Sequence, residues 1–86
     1  MPEISRFLGM VIAMFYNVHA PPHFHVSYGK NKAVVGIDPI EILDGKLPRR
    51  ASTLVLEWAE LNQTKSMADW ELARKQAPLE KIDPLE

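Results

Sequence analysis

The three histidines of the chain, His19, His23 and His25, flank the consecutive prolines Pro21 and Pro22. Imidazole titrates near neutral pH, so these three are the candidates for acid–base chemistry. On an extended chain, His23-x-His25 puts both rings on one face. Their Cα atoms are then about 6.5–7 Å apart, a span that one divalent metal ion can bridge. His19, four residues before His23, would be the third ligand, and three histidines plus water make an open, catalytic type of site. The same residues also suit a scaffold, because a histidine beside Pro-Pro can hold a loop by hydrogen-bonding backbone carbonyls. Base, ligand and scaffold stay open on residue type and spacing alone. No cofactor is expected other than a divalent metal at His19, His23 and His25.

Metal-independent RNA cleavage needs a base and a cationic grip on phosphate. Lys46, Arg49 and Arg50 are the candidates for the grip, clustered where a helix is expected to begin and where backbone N–H groups also favour anions. Tyr16 and Tyr28 are candidate hydroxyl contributors to substrate binding. Trp58 and Trp70, on helical stripes, are expected in the core rather than on a base-stacking surface.

The elements that must position these groups follow from the hydrophobic pattern. Residues 2–8 read as extended or loop-like. Met10-Val11-Ile12-Ala13-Met14-Phe15-Tyr16 is rich in β-branched and aromatic residues and reads as a buried strand. Asn17 to Pro22 reads as a stiff turn, with extended geometry imposed before each proline. His23-Phe24-His25-Val26-Ser27-Tyr28 alternates, so His23, His25 and Ser27 share one face and Phe24, Val26 and Tyr28 the other. Lys32 to Ile37 returns as a strand, and Ile40 to Leu43 makes a short further one before an Asp44-Gly45 turn. Ala51, Leu54, Val55, Trp58 and Leu61 then follow helical spacing. Ser66, with Asp69 three residues on, reads as the start of a second helix. Leu79, Ile82 and Leu85 mark a tail that suits an edge cover or a docking arm.

The expected fold is α+β: a small antiparallel sheet of three to four strands followed by two helices packed on one face. It is expected as a single domain over residues 1–86, with strands within 9–44, helices at about 48–64 and 66–75, and an extended tail at 77–86. A net charge of −1 argues against bulk non-specific nucleic-acid binding. The absence of cysteine excludes thiolate metal sites, disulfides and a cysteine nucleophile. There is no phosphate-binding or dinucleotide glycine motif. The apolar run from Gly9 to Tyr16 is too short to span a bilayer, so no membrane partner and a cytoplasmic location are expected.

Several stretches resemble one family of small bacterial proteins, catalogued as domain of unknown function 4160. They are Pro2-Glu3-Ile4-Ser5-Arg6-Phe7, Tyr16-Asn17-x-His19-x-Pro21-Pro22-His23-Phe24-His25 and Gly45-Lys46-Leu47-Pro48-Arg49-Arg50-Ala51, with Leu56-Glu57-Trp58-Ala59 and Trp70-Glu71-Leu72-Ala73-Arg74. The resemblance implies one half of a two-gene module similar to a toxin–antitoxin pair. It implies a small partner protein encoded nearby; together with the histidines and the basic cluster it makes RNA or a translation factor the expected target, and a homodimer stays open. Val18 stands where the family pattern leads one to expect an acidic residue before His19. Two other classes compete with the toxin-like reading: a non-catalytic protein-binding module, and a metal-binding protein using His19, His23 and His25.

Overall fold

A computed structural model describes residues 2–16 and 19–85. Asn17 and Val18, with the expected acidic position and part of the expected turn, lie outside the described residues. The sheet has five antiparallel strands in the order of the chain: β1 (Glu3–Phe7), β2 (Met10–Ala13), β3 (His23–Tyr28), β4 (Asn31–Gly36) and β5 (Ile42–Gly45). Two helices follow, α1 (Arg49–Leu61) and α2 (Gln63–Arg74). The α+β class is as expected, but the sheet has five strands rather than three to four.

The additional strand is β1, which lies before the expected strand region. Its pairing with β2 shifts register between Glu3 and Ser5, so Ile4 and Ser5 are both buried. A bulge of this kind erases the two-residue alternation by which a strand is read from sequence. The expected turn at Asp44-Gly45 belongs to β5 instead. Gly45 pairs with Ala33 and has φ +81°, a left-handed conformation that glycine adopts at little cost. Strand β5 also slips register, between Val34 and Val35 of its partner.

Alternation in β3 holds throughout. Phe24 and Val26 are fully buried, whereas His23, His25 and Ser27 are half-buried on the other side. Phe24 meets the Trp58 ring edge-on at 5.5 Å between centroids, and Phe7 stacks on the same ring at 5.9 Å. Trp58 thereby joins α1 to β1 and β3, with Met10, Ile12, Met14, Val35 and Val55 completing the core. Burying Trp58 and Phe24 removes side chains worth roughly 1.5–3 kcal/mol each from water. Leu61, on the same helical stripe, is instead exposed, because α1 ends there and the chain turns at Asn62.

Helix α2 begins three residues before the expected start. Ser66 is not its cap; it lies inside the helix and is buried with Asp69, Trp70 and Ala73. The turn at Asn62 connects the helices so tightly that no separate capping box is needed, and neither helix has a side-chain cap bond. The tail packs back on the fold: Ile82 N–H donates to the Ile4 carbonyl at 2.8 Å, and Trp58 Nε1–H donates to the Asp83 carbonyl at 2.9 Å. Among the described residues, no helix is long and apolar enough to cross a membrane.

Candidate functional site

The β3 alternation places His23 and His25 side by side, with ring centroids 5.3 Å apart. His23 Nδ1 lies 2.9 Å from the Pro21 carbonyl oxygen. A carbonyl only accepts, so Nδ1 carries the proton and Nε2 is the nitrogen left to gain or lose one. The Pro-Pro turn thus selects the tautomer of the histidine that follows it. The ring of Trp70 from α2 lies against the same imidazole at 5.1 Å.

His25 meets Phe15 edge-on at 4.4 Å. Burial disfavours its charged form, and the neighbouring His23 adds to this, so its pKa is lowered from the usual histidine value. His25 is therefore held as a neutral imidazole at physiological pH, the state a general base needs. It lines a groove of about 330 Å³ on the sheet face opposite Trp58, with Phe15, Ser27, Lys32, Val34 and Asp44 among its walls. That volume is at the small end of ligand pockets.

The register explains why Lys32 and Asp44 arrive there. Ser27 pairs with Lys32 and Val34 with Asp44, so side chains from β3, β4 and β5 line up across one face. Lys32 does not stand out in the sequence, because its proximity to His25 exists only through cross-strand pairing, and Asp44, an acidic residue that could support the histidines, reaches their strand face only through the same pairing. The sole sequence signal is that Lys32 alternates with Ala33, marking Lys32 as outward-facing. Asp44 is itself oriented: its Oδ1 accepts the Gly45 N–H at 2.9 Å.

The expected phosphate grip is not part of this groove. Arg49 and Arg50 share a shallow depression with Thr53 and Leu54 on α1, and Arg50 also adjoins Tyr28 beside Leu8 and Met10. Tyr28 belongs to the core side of β3 and packs against the core cluster. Lys46 is exposed just after β5, its N–H donating to the Lys32 carbonyl at 3.1 Å. Tyr16 is exposed beyond Phe15. His19 is exposed as well. Among the described residues no group of three or more His, Cys, Asp or Glu side chains is close enough to hold a metal ion, so His19 does not complete a triad with His23 and His25.

The family model described as Domain of unknown function (DUF4160) matches residues 9–71. That span contains the Pro-Pro turn, both histidines, Lys32, Asp44 and Trp70. No curated protein and no solved structure matches the chain.

Proposed function

The chain belongs to the DUF4160 family, and on that footing we propose that it is a toxin-like component of a bacterial two-gene module, acting on RNA through the His23–His25 pair and restrained by a small partner protein. The observation that carries this reading is the asymmetry of the two imidazoles. His25 is kept neutral by burial and by its neighbour, whereas His23 has one nitrogen tied to a carbonyl and the other available. Two titratable groups in differing environments are the usual arrangement for a base and an acid.

In the proposed step, neutral His25 removes the proton from a ribose 2′-hydroxyl. The 2′-oxygen attacks the adjacent phosphorus, and the bond from phosphorus to the 5′-oxygen breaks. The leaving oxygen takes a proton from Nε2 of protonated His23, giving a 2′,3′-cyclic phosphate and a 5′-hydroxyl. Solvent exchange then restores both imidazoles. The Lys32 ammonium, on the wall of the same groove, offsets the charge that builds on the phosphoryl oxygens. Throughout, His23 Nδ1–H keeps its bond to the Pro21 carbonyl, so the ring changes charge without turning.

The test is expression without the partner, followed by growth and RNA integrity, with purified protein assayed on single-stranded RNA in chelator. His25→Ala is expected to abolish both toxicity and cyclic-phosphate product. Intact RNA with normal growth, or a His25→Ala variant as toxic as the parent, overturns the reading. Partner capture that survives both histidine substitutions, with no effect on RNA, would instead favour a non-catalytic binding module.

A further inference from the structure

The C-terminal segment 79–85 sits in a groove made by other parts of the chain. Glu80 N–H donates to Asp69 Oδ1 on α2 at 2.9 Å, Ile82 N–H to the Ile4 carbonyl of β1, and the Asp83 carbonyl accepts from Trp58 on α1. Lys81 Nζ lies 4.0 Å from Glu3 on the outer edge of the same strand. Ile82 is buried, and Leu79 and Leu85 pack against the core cluster. The groove therefore reads a short extended segment through backbone groups, one apolar anchor and one charge.

What joins this arm to the body is a strained hinge. Ala77 N–H bonds to the Leu72 carbonyl and Gln76 N–H to the Ala73 carbonyl, the two bonds of a Schellman helix end. The residue that such an end places in the left-handed region is usually glycine; here it is Gln76, with φ +58°. The strain belongs to the closed hinge alone. Straightening the hinge relieves it while the arm's own contacts can form again elsewhere. Asp69, whose Oδ1 holds the Glu80 N–H, is buried, and its Oδ2 has no hydrogen-bond partner.

We infer that segment 79–85 is an exchangeable arm, and that the groove of β1, Trp58 and Asp69 accepts the same segment from a second copy of this chain to form a reciprocal dimer. A strained hinge linking a short docked element is the usual route to such exchange. The groove already fits this occupant, including the Glu3–Lys81 charge pairing, so no new complementarity is needed.

The chain has no native cysteine, which allows a direct test. Glu3→Cys and Lys81→Cys are made in separate chains, mixed, incubated at high concentration and treated with a short bis-maleimide linker. Exchange yields a cross-linked pair containing one of each chain, above the collisional yield of Glu3→Cys chains alone. Gln76→Gly in both partners is expected to lower that yield by about fivefold or more. The Glu3→Cys/Lys81→Cys double variant reports docking itself. If it cross-links within one chain while the mixture gives only the collisional background, exchange is refuted and the arm is a fixed cover.

Discussion

Gln76 offers the most direct test of how the C-terminal arm is held. An L-residue in the left-handed region costs about 1–2 kcal/mol, a penalty that glycine escapes. Glycine also loses more chain entropy on folding, which takes back roughly 0.5–1 kcal/mol. Gln76→Gly should therefore be more stable by about 0.5–1 kcal/mol than Gln76→Ala, which gives up the same side-chain contacts but keeps the backbone penalty. For a domain of this size that places its thermal midpoint about 2–8 °C above that of the alanine variant. Gln76→Asn should fall between, since asparagine tolerates this conformation better. The assay is urea unfolding followed by circular dichroism, with calorimetry for the midpoint. An order of glycine, asparagine, then alanine at constant m-value is the expected result. If glycine leaves the midpoint no higher than alanine does, the left-handed residue at the helix end carries no strain and the hinge has none to release.

Three further outcomes follow from the geometry. Gly45→Ala should destabilise by about 2–4 kcal/mol, because a Cβ there meets the Lys32 carbonyl and comes within 2.7 Å of Ala33 Cα while φ stays positive; an unfolding midpoint equal to the parent's would contradict the β4–β5 register. The His25 ring should titrate below the usual histidine value by NMR, and Phe15→Ala should move it back upward by admitting water. With the folded pKa depressed, the stability linked to His25 is complete above about pH 6.5 and is lost as pH falls toward the folded value. Asp69 has the opposite sense: burial raises its pKa above 3.8 and Glu80 adds repulsion, although the Glu80 N–H bond partly opposes this. Its contribution is complete below that value and is lost as pH rises through the folded pKa. Urea midpoints of Asp69→Asn relative to the parent should therefore improve between pH 4 and pH 7; a constant difference would show that Asp69 does not ionise across this range.

The sequence was most legible where one face of an element is buried and the other is not. The alternation of residues 23–28 and the stripe of Ala51, Val55 and Trp58 both appear in the fold as read. It was least legible where pairing departs from regularity. The bulge near Ile4 hid β1, and the irregular pairing of β5 disguised Gly45 as a turn residue. Ser66 and Asp69 look like a capping pair because cap residues and buried polar residues are the same residue types. Only the sharp turn at Asn62 reveals that the helix has already begun. The candidate site divided in the same way. The adjacency of His23 and His25 follows from two-residue spacing, which is local. The cation in the groove that His25 lines does not: Lys46, Arg49 and Arg50 are close to one another in sequence, but sheet register brings Lys32 to His25 instead.

The strand that carries the histidines also carries two of the most deeply buried core residues, and this ties chemistry to packing. Phe24 is fixed against Trp58 and Val26 lies opposite Ile12. A one-residue slip of β3 would send both imidazoles into the core and both apolar side chains into the groove. Burial of Phe24 and Val26 therefore selects the register that presents His23 and His25 together. The same constraint fixes the cross-strand alignment with Lys32. Enlarging or emptying the Trp58 contact should consequently disturb the groove without touching any residue in it. Phe24→Leu, which leaves an apolar side chain but loses the edge-on contact with Trp58, is the variant that separates the two effects. It is expected to lower stability and to raise the His25 pKa together as the strand loosens and water reaches the imidazole. A Phe24→Leu variant that loses stability while His25 titrates as in the parent would show that the groove is held by the sheet alone.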